Sequence, residues 1–170
     1  MKIKSLLILL TLCSTLLLGQ DFKTDSISKL ELSKLEFLIG EWEGEGWIMG
    51  RDKQKHAFQQ TENIQFKIDG VAILIEGLGN SNGQITNYSL AIISYNKKDS
   101  NYTFQSYTST GHGGSFKAEL IEGKLFWYPN ENMRFVGWIN EKGQWHESGE
   151  LKNDEKWNQF FEMTLNKKGK

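Results

Sequence analysis

The sequence reads His56-Ala-Phe-Gln-Gln-Thr-Glu-Asn-Ile-Gln-Phe-Lys-Ile68 in its longest alternating stretch, and this stretch decides the fold. One face of the extended chain would hold every second residue: His56, Phe58, Gln60, Glu62, Ile64, Phe66 and Ile68. The other face is polar except for Ala57. A period of two over this length is typical of a strand with one buried face. The pair Asp69-Gly70 follows between two apolar runs and predicts a hairpin turn.

The same rhythm extends from Glu41 to the end of the chain. After the first two strands, further strands are predicted at 71–78, 85–95, 102–109, 115–121, 125–128, 133–140, 145–151 and 157–165. Short segments rich in Gly, Asn, Asp and Lys separate them. This pattern predicts an all-β fold, an antiparallel up-and-down meander of about ten strands. Because open sheet edges are costly, we expect the meander to close into a barrel, with a two-sheet sandwich as the alternative.

A short amphipathic helix is predicted before the strands. Its apolar residues recur at helical spacing: Leu32, Leu35 and Leu38. The candidates for its N-cap are Asp25, Ser26 and Ser28. Gly40 is a suitable residue to end it. We therefore predict a loose leader at 20–29 and a single domain at 30–170.

The first 19 residues resemble a secretory signal peptide. Lys2 and Lys4 precede an apolar run at 6–18, and Gly19 with Gln20 offers a cleavage site. The run is too short to span a bilayer comfortably, so we expect no stable membrane insertion after its removal. The sole cysteine, Cys13, lies within it and follows a leucine, which disfavours a lipoprotein signal. The sequence thus predicts an exported protein, periplasmic or extracellular, that folds without disulfides.

The charge balance limits the classes of partner. Loss of the signal peptide would remove two of the 20 basic residues and none of the 21 acidic ones, leaving a net charge of about −3. An acidic chain with interspersed charges disfavours nucleic acid and anionic lipid as partners. The sequence does not predict an oligomeric state.

The start of the first strand carries a resemblance to a known group of barrels. Residues Gly40-Glu-Trp42-Glu-Gly44-Glu-Gly46, together with the short helix and the meander, resemble the calycin barrels. That group includes lipocalins, fatty-acid-binding proteins and haem-binding nitrobindins. The tail, Trp145-His-Glu-Ser-Gly-Glu150 with Phe160-Phe-Glu-Met-Thr-Leu165, resembles a family of small secreted bacterial domains whose function is not established. In such a barrel Trp42 is expected to close one end and could form the floor of a cavity.

Polar residues on apolar strand faces are the candidates for a binding site. The alternating stretch places Gln60 and Glu62 on its inward face, with His56 expected at the rim. Trp145 and Leu151 favour an inward phase that carries Glu147 and Gly149 inside. The same reasoning for the last strand places Trp157, Gln159, Phe161, Met163 and Leu165 inward and Glu162 outward. The predicted ligand-binding residues are Trp42, Gln60, Glu62, Trp145, Glu147 and Gln159.

Three functions are compatible with these residues. Buried polar groups without partners are costly, which favours a cavity that binds a small apolar or amphipathic molecule. Alternatively, Glu62 and Glu147 could act as a general acid and base in a hydrolase or isomerase, since burial raises carboxyl pKa values. A third possibility is a structural or envelope-interaction protein with a filled barrel. Arg134 is expected outside, paired with Glu150 or Glu162.

Haem and metal sites are not predicted. The nitrobindins bind haem through a histidine on a C-terminal strand, but the last predicted strand here has no histidine. His146, one strand earlier, has an outward phase, and His112 is expected at a hairpin tip. Three isolated histidines and no mature cysteine do not match the spacing of a zinc site.

Overall fold

The computed structural model describes residues 23–169, and within them ten antiparallel strands form a closed barrel. Each strand pairs with its neighbours in the chain, and the last strand pairs with the first. The strands are β1 (Gly40–Met49), β2 (Lys55–Lys67), β3 (Ala72–Ser81), β4 (Gln84–Asn96), β5 (Asn101–Thr108), β6 (Gly113–Ile121), β7 (Lys124–Asn130), β8 (Met133–Ile139), β9 (Trp145–Asn153) and β10 (Lys156–Lys167). The prediction of an up-and-down meander is therefore confirmed.

Closure depends on β1, which bonds to a strand on both sides. Trp42 lies opposite Glu62 of β2 on one side and Lys167 of β10 on the other. The backbone N–H and C=O groups of β1 and β10 therefore bond to each other. In a two-sheet sandwich these two strands would be open edges. The barrel, rather than the sandwich, is the fold.

A short helix covers one end of the barrel. Helix α1 (Ser26–Ser33) starts at Asp25, whose carboxylate accepts a hydrogen bond from the Ser28 amide at 3.0 Å. A 3₁₀ turn at Glu36–Leu38 then leads into β1. The three leucines of the predicted helix face are at most 2% exposed: Leu32, Leu35 and Leu38. Only Leu32 belongs to α1, because Leu35 precedes the 3₁₀ turn and Leu38 ends it.

The helix boundaries differ from those expected. The predicted leader is wrong for residues 26–29, because the Asp25 cap begins the helix there. The helix ends at Ser33, and Gly40 does not cap it but opens β1 with a φ of 142°. The Lys34 amide already bonds back to the Glu31 and Leu32 carbonyls, which closes the last turn. The predicted signal peptide and the first residues of the leader lie outside the described residues.

The Asp69-Gly70 turn is longer than a two-residue hairpin. Residues Ile68–Gly70 form a 3₁₀ turn in which Ile68 and Asp69 have φ values of 51° and 53°. The positive φ takes Ile68 out of the strand and leaves it 71% exposed. The predicted inward position of Ile68 is therefore wrong, whereas Phe58 to Phe66 keep the predicted phase.

The two ends of the barrel differ. At the end that we call the plugged end, α1 packs against β3, β4 and the 3₁₀ turn at Ile68–Gly70. The Tyr102 hydroxyl donates a hydrogen bond to the Glu31 carbonyl of α1 at 3.0 Å. At the opposite end, which we call the mouth, the turns 50–54, 82–83, 109–112, 131–132 and 154–155 ring the opening. Among residues 23–169, no helix is long and apolar enough to cross a membrane.

A β-bulge in β10 changes which residues face the interior. Gln159 lies opposite Glu150, but Phe161 lies opposite Gly149, so Phe160 is the extra residue. The insertion reverses the inward phase, because successive side chains of a strand alternate between faces. Residues after the bulge follow the prediction. Before it, the predicted inward positions of Trp157 and Gln159 are wrong.

Candidate functional site

The interior of the barrel holds a cavity of about 470 Å³. This volume falls in the range of small-molecule sites, roughly 300–1,000 Å³. Its lining comes from most strands of the barrel. The lining includes Ile48, Phe58, Gln60, Glu62, Ile75, Ser89, Ala91, Phe104, Ser106, Phe116, Leu125, Trp127, Phe135, Trp145, Glu147, Phe161 and Met163.

Aromatic rings form much of the cavity wall. Phe104, Trp127 and Phe135 stack in a row, with centroid distances of 4.8 and 5.3 Å between neighbours. Phe58 and Phe161 form a second stacked pair at 5.7 Å. Flat, apolar surfaces of this kind suit an aromatic or aliphatic ligand body.

Polar side chains gather at the plugged end of the cavity. Glu62 lies directly opposite the plug residue Trp42 on β1, and Glu147 lies two residues from Trp145, whose ring meets Trp42. The exposed fractions of Gln60, Glu62 and Glu147 are 5%, 8% and 7%. The sequence-predicted inward positions of these three residues are confirmed. The two buried acids therefore lie at the deep end, and the wall above them is mainly aromatic, with a few polar residues such as Asn87 and Thr108 toward the mouth.

Two buried polar atoms here have no hydrogen-bond partner among the described residues. Gln60 donates its amide hydrogen to Glu62 Oε1 at 2.7 Å, which leaves Glu62 Oε2 unpartnered. The indole Nε1 of Trp145 is also unpartnered. An unpaired buried polar group costs about 1–3 kcal/mol, so each atom marks a position where a ligand or water group is favoured.

Glycines make room beside the polar cluster. A Cβ at Gly77 would lie 2.7 Å from Glu62 Oε1, and one at Gly79 would lie 2.8 Å from Gln60 Oε1. A Cβ at Gly137 would lie 3.1 Å from Trp145 Nε1. The strands flanking the cluster therefore cannot carry side chains at these positions without displacing it.

The two glutamates favour their neutral forms. Burial raises the pKa of Glu62 to about 7, although the Gln60 hydrogen bond opposes the rise. Burial also raises the pKa of Glu147 well above its usual range, and the nearby charge of Glu62 raises it further. Both carboxyl groups line the same cavity, which is why the charge of one affects the pKa of the other.

Trp42 closes the plugged end without lining the cavity. Its indole donates to the Leu38 carbonyl at 2.8 Å, and its ring meets Trp145 edge-on at 6.1 Å. Trp145 forms the cavity floor, and Trp42 supports it from below. The predicted plug is confirmed, and the floor residue is Trp145 instead.

Gln159 and Leu151 do not belong to the site. Gln159 is exposed and donates to Ser148 Oγ at 3.0 Å and to Glu162 Oε2 at 2.8 Å on the outer surface, because of the bulge at Phe160. Leu151, predicted inward, is 40% exposed near the mouth end of β9. The inward phase of β9 is correct only from Trp145 to Gly149.

The sequence reasoning did not single out the residues of the opposite wall. Phe104, Ser106, Trp127 and Phe135 line the cavity from β5, β7 and β8. Alternation within the predicted strand 102–109 places Phe104 and Ser106 on one face. This alternation does not distinguish residues that line a cavity from residues of a filled core.

Outside the cavity, one predicted pair is confirmed. Arg134 Nε donates to Glu150 Oε2 at 2.6 Å across β8 and β9. The guanidinium also lies over the Trp157 ring, 4.2 Å from its centroid. This contact covers the ring that the bulge turns outward.

The histidines do not fit haem ligation inside the barrel. His146 points outward, where its Nδ1 lies 2.9 Å from Thr164 Oγ1 and its ring meets Trp138. His56 lies at the mouth beside Asp52, and His112 lies in the exposed 109–112 turn. None of the three is among the described cavity-lining residues. Within residues 23–169, no group of three His, Cys, Asp or Glu side chains is placed to hold a metal ion.

Comparison with known proteins supports the fold. The crystal structure of Rv2717c from M. tuberculosis matches with a TM-score of 0.60 and 8% sequence identity, covering 81% of this chain and 97% of that one. At that identity the likeness shows a barrel of similar architecture and nothing more. No model of a known protein family matches the chain, and no curated protein sequence matches it.

Proposed function

We propose that this protein is a calycin-like carrier that binds one small amphipathic molecule inside its barrel. The observation that carries the proposal is the 470 Å³ cavity with an aromatic wall and two unpartnered buried polar atoms at its deep end. A filled barrel, as a purely structural role would require, does not match the cavity found in the described residues.

The proposed orientation follows from the distribution of polarity. A polar head would lie at the plugged end beside Glu62, Glu147 and Trp145. An apolar body would extend along the aromatic wall toward the mouth. Trp42 would act indirectly by supporting Trp145, and Gln60 by holding Glu62.

Native mass spectrometry of the protein purified from its own organism tests this proposal. We expect a bound molecule in the wild type that is released on denaturation. Ser106→Trp, which fills the cavity from β5, should reduce its occupancy at least about tenfold. Gln105→Trp, on the exposed face of the same strand, should retain it. Absence of the molecule from the wild type, or equal occupancy in both variants, would refute cavity binding.

The predicted export forms part of the same proposal. A carrier in the periplasm or outside the cell would start after Gly19, with its signal peptide removed. N-terminal sequencing of the protein from fractionated cells tests this. Recovery of the uncleaved chain from the cytoplasm would contradict it.

Acid–base catalysis is a second candidate, favoured by one observation. Glu62 raises the pKa of Glu147, and both carboxyl groups line one cavity. Such a pair can hold a proton at neutral pH, as a hydrolase or isomerase requires. If so, Glu62→Gln or Glu147→Gln should lower turnover of the co-purified molecule at least about 100-fold while leaving its affinity within about threefold. An equal loss of turnover and affinity would favour plain binding.

A further inference from the structure

The deep end of the cavity contains two acids and no base. Glu62 and Glu147 line it, and none of the described lining residues is Lys, Arg or His. A buried carboxylate is normally paired with a cation or with several donors, because burial without compensation is costly. Here the protein itself supplies one amide donor, from Gln60 to Glu62.

Hydrogen-bonding capacity at this end is weighted toward acceptors. The Gln60 amide already donates to Glu62 Oε1 and, at 3.4 Å, to the Thr61 carbonyl. Glu62 Oε2 remains free, and Glu62 is more than nine-tenths buried. The donors without an acceptor here are Trp145 Nε1 and the hydroxyl of Ser89, which accepts from Asn87. Once the carboxyl groups ionise, a complementary head group must therefore bring more N–H or O–H donors than acceptors.

The glycines beside the cluster make room for its own side chains. Gly77 on β3 lies opposite Glu62, and Gly137 on β8 lies opposite Glu147. The Glu62 carboxyl group packs over Gly77, and the Trp145 indole packs over Gly137. Glu62 and Glu147 both line the cavity, where a head group can meet them.

Resting on the proposed function, we propose that the buried head of the ligand is a cationic nitrogen group with several N–H donors, such as a primary alkylammonium. It would donate to Glu62 Oε2 and to Glu147 and would supply the positive charge that the described lining residues lack. A carboxylate head would meet two acids, with only the Trp145 indole and the Ser89 hydroxyl as donors. An alcohol would satisfy one oxygen without bringing a positive charge.

The surroundings of Glu62 determine the pH dependence of this binding. Its neighbours in β1 and β3 are Trp42 and Gly77, which do not titrate, and the other acid in the cavity is Glu147, whose pKa the charge of Glu62 raises. Lys167 of β10 lies over the Trp42 ring at 5.2 Å, with an exposed side chain. Because the pKa of Glu62 is raised to about 7 in the empty protein, an ammonium head should bind about tenfold more tightly at pH 8 than at pH 6.

Calorimetric titration with three matched probes tests the inference: decylamine, decan-1-ol and decanoate. At pH 8 we expect decylamine to bind at least about tenfold more tightly than decanoate. Glu62→Gln and Glu147→Gln should each weaken decylamine about tenfold and leave decan-1-ol within about threefold. Glu62→Gln should also flatten the pH dependence. Glu45→Gln, on the exposed face of β1, is the matched control and should change nothing.

The outcomes separate the two proposals. If decan-1-ol binds and decylamine binds no more tightly than the other probes, or if decanoate binds best, the cationic head is refuted and the carrier function stands. A preference for decylamine that survives both Gln variants would place the amine elsewhere and refute the inference. If none of the three probes binds, both proposals fail. Retained decan-1-ol binding shows that each variant is folded.

Discussion

Glu62 links the chemistry of the cavity to the stability of the empty protein. Its pKa is raised from 4.5 to about 7 on folding, so the folded state holds a proton that the unfolded state releases. The contribution of Glu62 to the free energy of unfolding is fully present below pH 4.5 and is lost as the pH rises from there through 7. The loss amounts to about 3 kcal/mol, because each pKa unit is worth about 1.4 kcal/mol.

Glu62→Gln should remove that pH dependence, since the amide keeps the shape of the neutral acid and cannot ionise. We expect urea denaturation to show the variant more stable than the wild type at pH 8, with little difference at pH 4.5. Glu45→Gln provides the control for a surface charge change. A constant difference between Glu62→Gln and wild type across this range would show that Glu62 is not buried as a neutral acid.

Gly77 tests the close packing around the same carboxyl group. A methyl group there would lie 2.7 and 2.8 Å from the two Glu62 oxygens and 2.9 Å from Ser89 Oγ. Gly77→Ala should lower the free energy of unfolding by about 1–3 kcal/mol, as overpacking does in a rigid interior. Glu76→Ala, at the exposed neighbouring position, should stay within about 0.5 kcal/mol. Equal unfolding midpoints in urea for the two variants would show that the cluster can move aside.

At this scale the period of the sequence predicted Gln60, Glu62 and Glu147 correctly. It failed for Gln159 because the alternation of the last strand is interrupted. Trp157, Phe161 and Leu165 recur at even spacing, so the sequence fits a strand without a bulge as well as one with a bulge. The pairing Gln159 with Glu150 and Phe161 with Gly149, which defines the bulge, depends on the neighbouring strand.

At the scale of elements, α1 is small but closes the plugged end. Leu32 is fully buried, whereas Leu30 on the same helix is 65% exposed. Leu32→Ala should cost about 2–5 kcal/mol, because it leaves a void between helix and barrel. Leu30→Ala is the matched control and should cost less than about 0.5 kcal/mol.

Thermal and urea unfolding, followed by tryptophan fluorescence, would measure both variants. Because the Trp42 indole donates to the Leu38 carbonyl in the 3₁₀ turn after the helix, local undocking of this segment should also change its emission before global unfolding. Similar costs for the two substitutions would mean that the helix does not pack through Leu32. The amphipathic spacing predicted this helix face, while its start depended on which of three candidate caps the fold uses.

At the scale of the whole molecule, closure makes all the strands interior strands. Each strand of the described chain is bonded on both sides. Backbone amides of β1 and β10 should therefore exchange with solvent within about tenfold of the rates in β3 and β4, since neither can fray as an edge. Hydrogen exchange followed by mass spectrometry measures this, with α1 as a segment expected to exchange faster. Rapid exchange confined to β1 and β10 would show that the barrel opens at that seam.

The sequence predicted this topology well because short turns constrain neighbouring strands to pair. Closure was inferred from the cost of free edges, and the pairing of β1 with β10 confirms it. A cavity was expected, but its volume could not be predicted, since it depends on how the rings of Phe104, Trp127 and Phe135 stack across the interior. Periodicity indicates which residues point inward, but not how completely they fill the space.

The pairing of Trp42 with Lys167 also fixes where the two chain ends leave the domain. Thr24 donates to Asp69 and Lys97 pairs with Asp25, so the start of the described chain is held against the same end of the barrel as the finish of β10. A short tether joined at either end of the described residues, Lys23 or Gly169, would hold the domain by its plugged end and point the mouth away from the support. Immobilised on a sensor chip or displayed on a particle in this way, the domain would keep its cavity open to the surrounding solution.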